Sequence, residues 1–322
     1  MTIDSSTEHA QGNHPDWPDP VLTPLTRNQA ARLVRLSLTA AARLGLDLTY
    51  EGDAALVPIE ASTAGPILGL SNLARAVSKH EEHRWPDMIE EHFVQLLQRL
   101  QHGPPLPPTD PERELIQRLV PRGALPADWT EDRPDFLPGL LSVPATAQDG
   151  VVTMFLDPSD FGLTWADAER IGLDNLRRLT DHVEYVDHDD IRIALVTGTS
   201  FAASRALVLD AVLRESLHIE NPPYGVLAAL PARDLLLIHV IRDLTVIPAL
   251  GLMLNLAARA HTHDPGPLTP DVHLVSTTST PTWHPATTTS PDNTPLRLSP
   301  QLDALTKTLA ALEPRPSRRP TG

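Results

Sequence analysis

Cysteine is missing altogether from the 322 residues. That excludes disulfides, thiolate nucleophiles and cysteine-ligated zinc or iron–sulfur centres. Lysine is scarce: it occurs only at Lys79 and Lys307, so arginine carries nearly all the positive charge. Positive charge is itself in deficit, 26 Lys and Arg against 41 Asp and Glu, for a net charge of −15. Such a surface repels phosphate backbones and anionic membranes, so neither nucleic acid nor a membrane is an expected partner. No apolar run reaches the roughly 20 residues that span a bilayer. The nearest candidate, 246–258, contains Pro248 and Asn255. Residues 1–20 are polar and acidic, without the basic start and apolar stretch of a secretory leader, and the expected compartment is the cytoplasm. Phosphate-loop and nucleophile-elbow motifs are missing as well: there is no Gly-Lys-Ser/Thr and no Gly-x-Ser-x-Gly. No cofactor is expected.

What is present centres on residues 164–241. Thr164 with Asp167 reads as a helix N-cap. Trp165, Ala168, Ile171 or Gly172, Leu176 and Leu179 then recur at helical spacing to about Thr180. Residues 181–190 are acidic and poor in apolar residues, and read as a solvated loop. A strand over 191–196, a turn at 197–200 and a helix over 202–217 follow. Two nearly continuous apolar runs, 226–230 and 235–241, are joined by Pro231-Ala232-Arg233-Asp234. Continuous runs imply burial on both faces, so a β-hairpin in the middle of a helix-covered sheet is expected.

The rest of the chain divides by composition. Residues 1–25, rich in Asp, Pro, Ser and His, read as a disordered arm. An N-terminal α+β unit over 26–102 reads as helix, hairpin, helix, helix. Its first helix has a Thr26/Gln29 capping box, and its hairpin turns at Glu51-Gly52-Asp53. Residues 103–139 read as a Pro-rich linker followed by irregular chain, with 115–120 as a strand or a short helix. The main α+β domain is expected over 140–312. It opens on strands 140–143 and 151–156, and later has a helix over 246–260 and a short strand at 272–275. The Thr-, Ser- and Pro-rich stretch 276–295 is low-complexity, yet Trp283 suggests an anchored hairpin. A helix over 300–312 closes the domain, and 313–322 reads as a flexible tail. The expected class is therefore α+β: a mixed, largely antiparallel sheet covered by helices, with a smaller N-terminal helix-hairpin-helix unit.

Four stretches, in this order, carry a resemblance: Trp165 through Asn175-Leu176-Arg177-Arg178-Leu179; Ala203-Ser204-Arg205 opening a helix; Val226-Leu227-Ala228-Ala229-Leu230-Pro231 with Asp234-Leu235-Leu236-Leu237-Ile238; and a helix and strand ending near Val275. Over about 150–275 the chain resembles the YtpQ-like family of uncharacterised bacterial proteins, a domain of unknown function. The resemblance implies an α+β cytosolic protein and supplies no catalytic residue. The Pro- and Thr-rich insertions and tail depart from the family pattern.

Six polar residues in or beside apolar elements are candidate ligand contacts: Asn175, Arg177, Ser204, Arg205, Arg233 and Asp234. Their convergence in one pocket would make that pocket the default site. Within the acidic stretch, Asp187, Asp189 and Asp190 are candidate oxygen ligands for Mg²⁺, Ca²⁺ or Mn²⁺, although the EF-hand glycine and final glutamate are missing. His80-Glu81-Glu82-His83 fails the zincin spacing. His239, in a buried-type strand, reads as a core histidine. The expected function is a non-enzymatic binding or protein-interaction module with an unknown protein or small-molecule partner. The alternative is a metal-assisted hydrolase using the acids of 181–190.

Overall fold

The computed structural model describes residues 17–59, 67–101, 107–148, 151–277, 281–288 and 297–312. It forms two compact units, Met1–Leu106 with Thr262–Gly266, and Pro107–His261 with Pro267–Gly322. The fold is α+β, and every strand pair among the described residues is antiparallel.

In the first unit, α1 (Arg27–Arg43) starts on the expected capping box, with Thr26 and Gln29 bonding each other's backbone. It is followed by the sheet β1 (Leu48–Tyr50), β2 (Ala55–Pro58) and β3 (Leu68–Gly69), then α2 (Ser71–Ser78) and α3 (Trp85–Gln101). Trp85, Ile89 and Phe93 of α3 share a core with Ala30, Leu33 and Ala41 of α1. The expected disordered arm needs correcting from Trp17 onward. Leu22 and Leu25 are fully buried in this core, and the Asp19 carboxylate accepts the backbone N–H of Val21 and Leu22 at 2.9 and 2.8 Å. Two leucines among prolines and aspartates carry no periodicity, so their burial had no local signal. Residues 1–16, the linker at 103–106 and the tail at 313–322 lie outside the described residues.

The second unit opens with the short α4 (Pro111–Glu114) and the strand β4 (Ile116–Pro121), part of the region expected to be irregular. The short α5 (Ala127–Thr130) follows. β5 (Leu140–Gln148) pairs with β4 on one side and with β6 (Val151–Met154) on the other. The expectation for 115–120 is a strand or a short helix, and pairing with β5 over six residues decides for the strand. Helix α6 (Trp165–Arg177), capped by Thr164 as expected, packs on β4. Gly172 permits the approach, because a Cβ there would sit 2.9 Å from Gln117 of β4.

A six-stranded sheet follows, in the order β12-β11-β9-β10-β8-β7. β7 (His182–His188) and β8 (Ile191–Thr197) form one hairpin, β9 (Val226–Ala232) and β10 (Leu235–Val240) the expected central one, and β11 (Val272–Ser276) and β12 (Thr282–Pro285) a third. The solvated loop expected at 181–190 is thus largely an edge strand. Charged side chains blunt such an edge against further pairing, and they also mask its periodicity in the sequence. β13 (Thr287–Thr288) and β14 (Arg297–Leu298) pair as a separate two-stranded sheet, before α9 (Pro300–Leu312).

Side chains alternate across the sheet. One face, with Ile193, Leu227, Ala229 and Leu237, packs against α8 (Val246–His263) and α9. The other, with Ala194, Val196, Ala228 and Ile238, is covered by residues 203–217. This cover is not the regular helix expected. It is 3₁₀ over Ala203–Val208, one α turn over Leu209–Ala211 (α7), and π over Val212–Ser216.

Candidate functional site

The six candidate ligand residues do not converge. Asn175, on the buried face of α6, donates through Nδ2 to the carbonyls of Glu112 and Leu115 at 2.8 and 2.9 Å. It thereby holds the chain entering β4. Ser204 is buried, and its Oγ accepts the backbone N–H of Leu119 at 2.9 Å. The Arg205 side chain is 1% exposed and that of its partner Asp181 3%. Arg205 donates Nε and Nη2 to the two carboxylate oxygens, each at 2.9 Å, and Nη1 to the Leu176 carbonyl. Asp181 also accepts from the Ser216 hydroxyl. This knot joins α6, the start of β7 and both ends of the irregular cover. Arg233 and Asp234 are half-buried in the β9–β10 turn, where the Arg233 carbonyl accepts from Ala203 N at 3.2 Å. Among the six, only Arg177 lines a cavity described below.

The candidate metal ligands are corrected as well. Asp187 is engaged by Arg192 through two hydrogen bonds of 2.7 and 3.0 Å, and the bond from Arg192 holds its carboxyl below the usual carboxylate range. Asp189 sits in the β7–β8 turn at φ 50°, 3.8 Å from His188, and both are exposed. Asp190 lines a separate cavity. Among the described residues, no three His, Cys, Asp or Glu side chains come together as a metal site. A strand turns successive side chains to opposite faces, which separates acids that are adjacent in sequence. His83 pairs with Glu81 on the surface, away from any such cluster.

Two cavities flank the irregular cover. The first, of about 660 Å³, has an apolar floor that includes Phe136, Leu207, Leu213, Ile219 and Trp283. Phe136 and Trp283 meet edge to face, 5.3 Å between centroids. Arg177, Asp210, Arg214 and Glu220 supply its charges. Arg177 and Asp210 pair at 2.7 Å. Partial burial pushes the Asp210 carboxyl up, but the hydrogen bond and charge of Arg177 outweigh it and hold the group low. The Thr277 hydroxyl is also engaged, donating to the Pro222 carbonyl at 3.0 Å. The second cavity, about 470 Å³, is lined by Tyr185, Arg192, His218, His239 and Arg242 among others. His239 Nδ1 donates to the Arg192 carbonyl at 2.9 Å, which leaves Nε2 as a buried lone pair without a partner. Burial pushes this histidine below its ordinary pKa. The expected core histidine is therefore satisfied on one nitrogen only.

Ile219 lines both cavities, in a segment carrying two non-glycine residues in the left-handed region, His218 at φ 56° and Asn221 at φ 46°. Such backbone is uncommon outside glycine and clusters where a surface has a task. π-turns have the same association. Neither feature has a composition signature. Trp283 was the one floor residue with a signal, as an aromatic anchor in a polar stretch. A third cavity of about 460 Å³ includes Tyr224, Leu274, Thr282, His284 and Leu305. Comparisons with family models, curated proteins and solved structures return no match.

Proposed function

We propose that this chain is a protein-interaction module that takes an extended peptide segment of a partner along β12. The observation that carries the reading is the position of β12 between two cavities. It is the terminal strand of the six-stranded sheet, paired with β11 on one side and with no strand on the other among the described residues. Trp283 lines the 660 Å³ cavity, while Thr282 and His284 line the 460 Å³ one. An added strand forms main-chain bonds to the edge and sends alternate side chains to opposite faces. Those are the two faces that carry cavities. The first cavity suits an apolar side chain, and Arg214 at its lining suits an acidic neighbour. Arg177 and Asp210 of its lining pair with each other and the Thr277 hydroxyl with backbone, an arrangement suited to contact rather than to turnover. With this reading we propose a cytoplasmic protein of the YtpQ-like family, acting without nucleic acid.

The test starts from a random peptide library displayed against the intact chain. Selected peptides are then measured on Ala206→Phe, which fills the first cavity, and on Arg214→Glu, which reverses its charge. Ala206→Phe should weaken binding by about tenfold or more, the equivalent of losing one seated side chain. Arg214→Glu should discriminate selectively against acidic peptides. Equal affinity for both variants and the parent, with circular dichroism unchanged, would sink the reading.

A further inference from the structure

Peptide binding along β12 makes no use of the second cavity, whose 470 Å³ lining includes no residue of β11 or β12. Ala194, Leu217, Ile219, Ile238 and Val240 give it an apolar wall, and charged and polar side chains complete it. That volume and that make-up are those of small-molecule sites.

The wall holds an acceptor without a donor. His239 is 4% exposed and lines the cavity. Its Nδ1 is committed to the Arg192 carbonyl, so Nε2 is the lone-pair nitrogen, buried and unpartnered. Burial also disfavours protonation of the ring. Buried polar atoms are as a rule hydrogen-bonded, so this one marks a place for a donor from outside the chain.

The charges of the lining fall into two sets. Arg192 is held by Asp187 at 2.7 and 3.0 Å, and Asp243 accepts the backbone N–H of Thr245 at 2.9 Å as well as its hydroxyl. Asp190 and Arg242 are exposed, and among the described residues neither forms an ion pair. One cation and one anion are left over. The backbone here is also uncommon. Among the described residues three non-glycine residues have positive φ: His218 lines the cavity, and Asp189 immediately precedes Asp190.

We propose that this cavity binds a free α-amino acid with an apolar side chain. The carboxylate pairs with Arg242, the ammonium with Asp190, and the side chain lies against the apolar wall. A further ammonium N–H is the donor that His239 Nε2 lacks. A zwitterion matches the two leftover charges in sign and number, whereas a simple anion or cation leaves one unmatched. An internal peptide segment has neither charge, so this ligand differs in class from the one proposed for β12.

Thermal unfolding of the full chain with L-leucine and L-phenylalanine tests the site, with glycine, leucinamide and isocaproate as controls. At least one of the two apolar amino acids should give a saturable rise in Tm, since a ligand bound only by the folded state adds stability. Glycine lacks the side chain, leucinamide the carboxylate and isocaproate the ammonium. Each should need about tenfold or more concentration for the same rise. Arg242→Gln should erase the preference over leucinamide, and Asp190→Asn the preference over isocaproate. Both positions are exposed, and a change in selectivity is not what a folding defect produces. Arg214→Glu, in the cavity beside β12, should leave the response intact. No saturable rise with either amino acid overturns the proposal. So do Arg242→Gln and Asp190→Asn variants with unchanged preferences. A response lost in Arg214→Glu and kept in Arg242→Gln moves the ligand to the other cavity and overturns this site.

Discussion

The two faces of the six-stranded sheet are covered in opposite ways. Under α8 the cover is regular: Val246, Ala249, Leu250, Met253 and Ala257 recur every three or four residues and pack against Leu227, Ala229 and Leu237. On the other face, residues 203–217 pass from 3₁₀ to α to π, so no single side-chain period holds. Ridges of constant period interdigitate with a sheet, and a changing period leaves gaps, as the cavities on either side of this segment show. What holds the irregular cover is the Arg205–Asp181 knot. The regular face is held by packing, the irregular one by packing and a buried ion pair, and two of the three cavities flank the irregular one.

The largest expected effect breaks the knot. Arg205→Ala leaves a buried carboxylate unpaired and should destabilise the chain by about 3–5 kcal/mol in urea unfolding. A loss under about 1 kcal/mol would mean that packing suffices on both faces. Next come matched truncations. Met253→Ala, on the regular face, should cost about 2–5 kcal/mol, and Leu213→Ala, which already borders a cavity, should fall at the low end of that range. Equal costs would erase the distinction between the faces. Thr164→Ala removes the cap of α6, the regular helix nearest the knot, and should cost about 1 kcal/mol.

Acid should act through two buried histidines. Burial lowers the pKa of His239, whose neighbours Asp243 and Arg242 pull in opposite directions, and burial likewise lowers that of His273 despite Asp271. A depressed folded-state pKa means that the unfolded chain takes up protons first. Stability is therefore full above the unfolded value of about 6.5 and declines as pH falls through the folded values. His239→Asn with His273→Asn should flatten that decline in unfolding midpoints measured across the window. The smallest effect belongs to Asp187→Asn, on the exposed edge. It should leave the midpoint unchanged within error, and a Mn²⁺-dependent shift lost in this variant would restore the metal reading.

The central hairpin was legible because residues 226–241 combine continuous apolar runs with a polar turn, and a strand buried on both faces has no other composition. The capping residues Thr26 and Thr164 were legible because caps are local chemistry. The irregular cover was read as one helix, because Leu207, Val208, Ala211 and Val212 satisfy an α period approximately, and π geometry has no residue preference strong enough to show. The acids of 181–190 misled for the opposite reason: Val183 and Val186 are too few to reveal a strand among charges. For the site, Arg177 and Trp283 had a signal. Phe136, Leu213 and Ile219 did not, since their meeting depends on tertiary closure across more than one element.

The strand order has a kinetic consequence. It consists of three hairpins laid side by side, and each can close by itself across a short turn, on the microsecond scale of isolated hairpins. Only the seams β8–β10 and β9–β11 join distant residues, and each is bridged by one helical crossover, residues 203–217 over one face and α8 over the other. Contact order in the sheet is thereby kept low. Docking of the two crossovers, rather than strand pairing, is then the slow event, and mutations on the docking face of a crossover, such as Leu213→Ala, should slow refolding more than those within a hairpin.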